Sequence, residues 1–458
     1  MEMTEERAYV QSLIDKARAA QQIFETFPQE KVDAAVRAVG KAVYDHGAEL
    51  AEFAVKETRM GIYEDKIVKN QGKAKAVWQK LKGVKSRGIL RYLDDQGLVE
   101  VAKPMGIIGS ICPTTNPNMT PMHNAMIALK GGNALIVCPH PRAKESGVKT
   151  CNYMRQALEE VGAPVDLIQC IPEPSIELSN MVMNMCDVCI STGGPVMVKA
   201  AYSSGKPAFG VGAGNLQALI DRSANLAEAV PMLVAGRIYD AGVLCTCEQT
   251  SIVPREKAEE FLSLMKKERV YYTEDEGEIE ALRQVIFPEG KTDPNIVGQP
   301  APIVAAKAGI TVPDDTRMLL VRLQKYGRDE LLAMEKLLPV MGLYLYDTWE
   351  EAVAIAKANL LYMGAGHSVV IHSNTKENIE YAAVELPVSR FSVNQQGSSS
   401  LGGALVNGLN PTGTLGCGSW GNNSISENLW WNHLVNISRI AYRIPGIKVP
   451  TDEEIWGE

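Results

Sequence analysis

Between residues 105 and 213, short apolar runs alternate with helical stretches at a spacing that few folds accept. The pattern predicts strands at 105–112, 134–139, 166–171 and 187–191, and a last one through Phe209–Val211. Between them it predicts helices at 117–130, 143–161 and 175–185, and one running from Gly193-Gly-Pro195 to Gly205. Strand–helix units of this length cross over right-handed and build a doubly wound parallel sheet. Such a sheet offers a nucleotide-sized crevice at the carboxyl ends of its strands.

The flanking segments read differently. Residues 5–85 are helical, with apolar positions at Tyr9, Leu13, Ile14 and Ala17 and again at Val32, Val36, Val39 and Val43. Residues 88–103 read as a hairpin turning at Asp94-Asp-Gln-Gly97. Two helices flank a short strand, Thr250–Val253, within 223–265, and 266–330 is more polar. A second α/β pattern follows, with strands at 340–346, 368–372 and 388–393 and helices at 349–359 and 375–384. Residues 394–424 are rich in Gly, Ser and Asn, and 428–458 reads as an apolar, aromatic docking tail.

Composition narrows the class. The net charge of −8 leaves no general basic face for nucleic acid and no polybasic membrane anchor. With 46% hydrophobic and 22% charged residues, the chain reads as folded and globular. No apolar run approaches the roughly 18 residues of a membrane span. The acidic start, Met1-Glu-Met-Thr-Glu-Glu-Arg7, is not that of a signal peptide. The nine cysteines are an odd number and mostly sit in apolar runs such as Ala134-Leu-Ile-Val-Cys138, as reduced buried thiols of a cytoplasmic protein do.

The stretch richest in possible chemistry is Asp240-Ala-Gly-Val-Leu-Cys-Thr-Cys-Glu-Gln249. A thiol after a Gly-containing turn, between a helix and a strand, is well placed to be a nucleophile, which needs access and ionisation. By residue type, Cys245 is equally a buried structural cysteine. On a strand, Cys245 and Cys247 would share a face, but no His lies nearby to complete a metal set, and no metal is expected. Cys186 and Cys189, at a helix-to-strand junction, read as core. Gly210-Val-Gly-Ala-Gly214 is not followed by a helix and is not a dinucleotide fingerprint. Ser191-Thr-Gly-Gly-Pro195 sits between strand and helix, either as a plain turn or as a site where N–H groups face a pyrophosphate. Asn116, in Pro113-Thr-Thr-Asn-Pro117, is either a helix cap or a donor to an oxyanion. His140 and His367 lie in predicted loops, as base or as capping donor.

These stretches together resemble the CoA-acylating aldehyde dehydrogenases. The matching residues are Pro113-Thr-Thr-Asn-Pro117, Pro139-His-Pro-Arg-Ala-Lys144, Thr192-Gly-Gly-Pro195, Lys199-Ala-Ala-Tyr-Ser-Ser-Gly-Lys-Pro207, Gly242-Val-Leu-Cys245 with Glu248-Gln249, and Leu415-Gly-Cys-Gly-Ser-Trp-Gly421 with Asn423-Ser-Ile-Ser-Glu-Asn428. The resemblance covers essentially the whole chain. It implies an aldehyde dehydrogenase-like α/β fold in three parts. A doubly wound cofactor domain would span 1–222 and carry the hairpin 88–103. An α/β catalytic domain would span 223–404. A return segment and C-terminal tail, 405–458, would join the hairpin in an oligomerisation arm, giving a homodimer or homotetramer.

The resemblance also implies roles. Cys245 would be the nucleophile, with Asn116 and the Cys245 N–H as oxyanion hole and His367 near the thioester. Glu335 would hold the nicotinamide ribose, Thr192, Gly193 and Gly194 would line the cofactor crevice, and Pro139, His140 and Arg142 would approach the adenosine. NAD or NADP is the implied cofactor and coenzyme A the co-substrate. Hydrolytic aldehyde dehydrogenases carry a water-activating Glu where this chain has Gly210-Val-Gly-Ala213, and a Lys where it has Cys138. The acylating reaction is therefore expected over release of a free acid. Lys73 and Thr246 match residues of acylating succinate-semialdehyde dehydrogenases, and Arg390 would add a second cation. An anionic aldehyde, succinate semialdehyde or sulfoacetaldehyde, is then expected, with acetaldehyde or propionaldehyde as the alternative.

Overall fold

The computed structural model describes residues 4–457. Four helices open the chain: α1 (Glu5–Glu25), α2 (Gln29–Asp45), α3 (Gly47–Thr58) and α4 (Tyr63–Leu81). Their apolar stripes are buried at Val10, Leu13, Ala17, Val32, Val36, Val39 and Val43, as the helical spacing requires. The hairpin follows as β1 (Gly88–Leu93) and β2 (Leu98–Pro104).

The alternating region folds as β3 (Ile107–Ile111), α5 (Met119–Lys130), β4 (Ala134–Cys138), α6 (Lys144–Glu160), β5 (Ile168–Cys170), α7 (Ile176–Met185), β6 (Val188–Thr192), α8 (Pro195–Tyr202) and β7 (Ala208–Val211). The five strands form a parallel sheet in the order β5-β4-β3-β6-β7. The order reverses between β3 and β6, so the crevice opens where the loops after these two strands diverge. Those loops carry Asn116 and Thr192-Gly-Gly194.

The second half continues as β8 (Leu216–Ile220), α9 (Leu226–Ile238), β9 (Glu248–Pro254), α10 (Ala258–Lys267), β10 (Val270–Thr273), α11 (Glu276–Ile286), α12 (Ala301–Lys307), β11 (Met318–Arg322), β12 (Val340–Tyr346), α13 (Trp349–Tyr362), β13 (Val369–His372), α14 (Lys376–Glu385), β14 (Phe391–Val393) and α15 (Gly397–Ser400). Seven parallel strands pair in the order β10-β11-β12-β9-β8-β13-β14. Three of them, β8, β10 and β11, have no counterpart in the sequence reading. β8 pairs with β9 and β13, so the second sheet begins before residue 222.

The tail supplies β15 (Val435–Ala441) and α16 (Asp452–Trp456). β15 pairs antiparallel with β2 and completes a three-stranded sheet with the hairpin. Just before it, Leu429, Trp430, Trp431 and Leu434 are buried in the core of the first sheet. Among the described residues all nine cysteines are free thiols, and Cys186 and Cys189 belong to that same core. Among the described residues no helix is long and apolar enough to cross a membrane.

Candidate active site

The carboxyl ends of the first sheet face the amino ends of the second. From the first come the Asn116 loop after β3 and the 192–194 turn after β6. From the second come Gly214 before β8, Cys245 before β9 and Glu335 before β12. Two cavities open between them. One, of about 300 Å³, is lined by residues that include Thr192, Gly193, Gly194, His140, Arg142, Val211, Gly212, Ala213 and Glu335. The other, of about 340 Å³, is lined from α4 by Lys69, Gly72, Lys73 and Ala76, and from the tail side by Ser398, Gly402, Leu405 and Thr412. Cys245 and Asn116 line both, so the thiol stands where the chambers meet.

The turn that presents Cys245 is left-handed. Asp240 (φ 49°), Ala241 (φ 53°) and Gly242 (φ 78°) all have positive φ, at a cost of about 1–2 kcal/mol for each non-glycine residue. Neighbours hold it there. The Asp240 carboxylate accepts from the Ile62 N–H at 2.8 Å and from Lys66 at 3.0 Å, and it pairs with Lys69. The Asp240 N–H donates to Asp65 at 2.8 Å. Arg237 donates to the Gly242 carbonyl at 2.6 Å and the Glu248 carbonyl at 3.0 Å. Cys245 and Cys247 thus lie in a turn and not on a strand. Cys247 is fully buried and donates weakly to the Tyr239 carbonyl at 3.8 Å. It lines neither chamber.

Burial raises the Cys245 thiol above its usual range, and the Glu335 carboxylate adds to the shift. Among the described residues its N–H meets no backbone acceptor. The Asn116 side chain makes only a long contact, 3.4 Å, to the Thr115 hydroxyl, and its buried carbonyl oxygen has no partner. Among the described residues these two donors, on walls they share, are therefore without a strong acceptor.

The first chamber fits a nucleotide. Added Cβ atoms at Gly193, Gly194 and Gly212 would meet nothing, so the walls there are bare backbone with room in front. The turn leads into α8, whose N-terminal end favours phosphate. Glu335 lines the same chamber, and its Oε1 accepts the Gly214 N–H at 2.9 Å. Residues 211–213 bring no carboxylate to this wall.

In the second chamber Lys73 Nζ donates to the Gly402 carbonyl at 2.8 Å. Burial pushes its amine down to about 8, and no carboxylate among the described residues pairs with it. Lys66 and Lys69, two turns and one turn earlier on α4, share the Asp240 carboxylate. Thr246 lines the same chamber.

Three expected site residues are not brought to these walls. Arg390 is buried and gives its guanidinium to two carbonyls, His367 at 2.9 Å and Gly416, so it adds no second cation to the Lys73 chamber. His367 is fully buried, bonded to the Ser368 hydroxyl at 2.6 Å, and burial pushes it down to about 3. Pro139 is buried against Gly147 of α6, while His140 and Arg142 beyond it do line the nucleotide chamber. Sequence reasoning missed Lys69, Asp240 and Gly214. The signal for the first was available: Lys66, Lys69 and Lys73 recur at helical spacing on the buried side of α4.

Comparison with known proteins agrees with this geometry. Residues 3–273 match the aldehyde dehydrogenase family. A succinate-semialdehyde dehydrogenase (acetylating) of Clostridium kluyveri is 46% identical over 98% of this chain and 99% of its own. An acetylating aldehyde dehydrogenase of Geobacillus thermoglucosidasius superposes with a TM-score of 0.93 at 36% identity, over 97% of this chain and 98% of the other. A propionaldehyde dehydrogenase of Rhodopseudomonas palustris, solved with bound CoA and an acylated cysteine, superposes with a TM-score of 0.85 at 25% identity, over 94% of this chain and 96% of its own. With its thiol at the meeting point of a nucleotide chamber and a second, lysine-bearing chamber, this chain belongs to the aldehyde dehydrogenase family.

Proposed function

We propose that the protein is a CoA-acylating aldehyde dehydrogenase that converts an anionic aldehyde, succinate semialdehyde or its sulfonated analogue sulfoacetaldehyde, to the acyl-CoA. The observation that carries the acylating assignment is the wall 211–213. It lines the same chamber as Cys245 with Val, Gly and Ala, and holds no carboxylate to activate water. The Lys73 ammonium, which lines the second chamber with no carboxylate partner among the described residues, supports the anionic substrate.

The residues act as follows. Cys245 loses its proton and attacks the aldehyde carbon from the waist between the chambers. The Asn116 amide and the Cys245 N–H stabilise the oxyanion of the adduct. NAD or NADP, when bound in the first chamber, supplies the hydride acceptor. Glu335 and the 192–194 backbone orient it there. Collapse of the adduct leaves an acyl-thioester on Cys245. The CoA thiol then displaces Cys245, so aldehyde, oxidised cofactor and CoA give acyl-CoA, reduced cofactor and one proton. Lys73 and Thr246 hold the anionic tail through a charge-assisted contact worth about 1.5–3 kcal/mol.

A homodimer or homotetramer in the cytoplasm is part of the same proposal. Tyr92 and Ile440 are exposed on the three-stranded sheet, and Tyr442, Ile447, Val449 and Trp456 on the tail, which supports a covered surface in the assembly. The test of substrate class is a CoA-dependent assay of reduced cofactor across anionic and neutral aldehydes. Succinate semialdehyde or sulfoacetaldehyde should give the highest kcat/KM. A preference for acetaldehyde or propionaldehyde would return the assignment to the neutral substrates.

A further inference from the structure

Helix α4 carries three inward lysines, and only Lys69 joins separate parts of the site. Its Nζ pairs with the Asp240 carboxylate, five residues before Cys245, and also donates to the Thr115 carbonyl at 3.3 Å, one residue before Asn116. Lys69 is buried, so both contacts are made away from bulk water. Lys66 also pairs with Asp240, at 3.0 Å, but has no contact with the Asn116 loop. The Asn116 loop and the Cys245 turn belong to different sheets, and each supplies one proposed oxyanion donor. Neither donor N–H is fixed by a strong hydrogen bond of its own. The Asn116 side-chain amide has only the 3.4 Å contact to Thr115, and the Cys245 turn has positive φ at three successive residues.

We propose that Lys69 is a positioning residue that ties the Cys245 turn to the Asn116 loop and so sets the separation of the two oxyanion donors. The proposal rests on the assignment of Asn116 and the Cys245 N–H as that hole. Lys69 itself touches neither aldehyde nor cofactor; it acts through the Thr115 carbonyl and the Asp240 carboxylate. The cost of losing it follows from geometry. A displacement of about 1 Å in a catalytic donor lowers rate by about 100-fold.

The experiment is a double-mutant cycle in the full chain, read by kcat for aldehyde oxidation with saturating cofactor and CoA. Asn116→Ala alone should lose on the order of 100-fold or more in kcat. Lys69→Met should lose about 100-fold, with cofactor affinity and the rate of Cys245 alkylation by iodoacetamide near wild type, since alkylation forms no oxyanion. Lys66→Met removes a cation from the same Asp240 and should lose less than tenfold. Combined with Asn116→Ala, Lys69→Met should add at most about threefold, because with the Asn116 donor gone there is no donor separation left for Lys69 to set. Multiplying losses in the double variant, or equal losses from Lys66→Met and Lys69→Met, would overturn the proposal. A fully active Asn116→Ala would instead overturn the oxyanion-hole assignment beneath it. If Lys69→Met gives no folded protein, Lys69→Gln takes its place in the cycle and the same criteria hold.

Discussion

A Cβ on Gly214 would overlap the carbonyl oxygen of Cys245. The Cys245 turn thus closes directly onto the strand-leading segment before β8, and Glu335 grips the same Gly214 through its N–H at 2.9 Å. Gly214→Ala must push the turn away or move the segment. The expected outcome is a destabilisation of about 1–3 kcal/mol in thermal unfolding. Activity should fall further than stability accounts for, by about 100-fold in kcat/KM. An alanine enzyme with ordinary kcat/KM would show that the turn has slack the packing does not suggest.

Lys73 gives a pH signature. Its amine is pushed down to about 8 from 10.5 by burial. The charged form that would bind an anionic tail is therefore nearly full below pH 7, about half at pH 8, and lost as pH rises further. The ratio of kcat/KM for succinate semialdehyde to that for propionaldehyde, on one enzyme, cancels the shared ionisation of Cys245. That ratio should be flat below pH 7 and fall with increasing pH above 8. Lys73→Ala should lower it roughly 10- to 150-fold and abolish the pH dependence. A ratio unchanged by the substitution would remove Lys73 from substrate recognition.

For the free thiol, burial and the Glu335 charge both disfavour the thiolate. Alkylation of Cys245 in the enzyme without cofactor should be slow at pH 7 and keep rising to at least pH 9.5, because the thiolate is the reacting form. A plateau below pH 8 would contradict the burial argument.

The two neighbouring thiols should separate cleanly. Cys245→Ala should lose several orders of magnitude in kcat. Cys247→Ser should stay active, at a stability cost of about 0.5–3 kcal/mol for a polar hydroxyl in a buried apolar cluster. An inactive Cys247→Ser beside an active Cys245→Ala would reverse the assignment.

Much of this was legible in the sequence because periodicity and turn chemistry are local. The strand–helix alternation at 105–213 placed the loops that hold Asn116 and Thr192–Gly194, and the turn at Asp240–Cys245 stood out before any contact was known. β8, β10 and β11 were lost for a local reason. Leu216–Ile220 is a five-residue run set off from β7 only by a Gly-rich turn, and its pairing with the other sheet is made by strands distant in the chain. Val270–Thr273 and Met318–Arg322 are short runs in polar surroundings whose burial comes only from strands far away in the chain. The same limit explains Arg390 and His367. Their residue types fit a site, but long-range contacts commit the first to two carbonyls and bury the second. The Lys69 tie joins positions 46 and 171 residues away, which no local pattern records.

The central claim is that the thioester on Cys245 waits for CoA and not for water. The most direct measurement is a count of reduced cofactor formed per active site when enzyme, aldehyde and NAD or NADP are mixed with CoA withheld and then added. The expected result is at most one rapid equivalent per site before CoA, followed by sustained turnover once it is present. Sustained formation of reduced cofactor at the same rate in the absence of any thiol, with release of the free acid, would contradict the account.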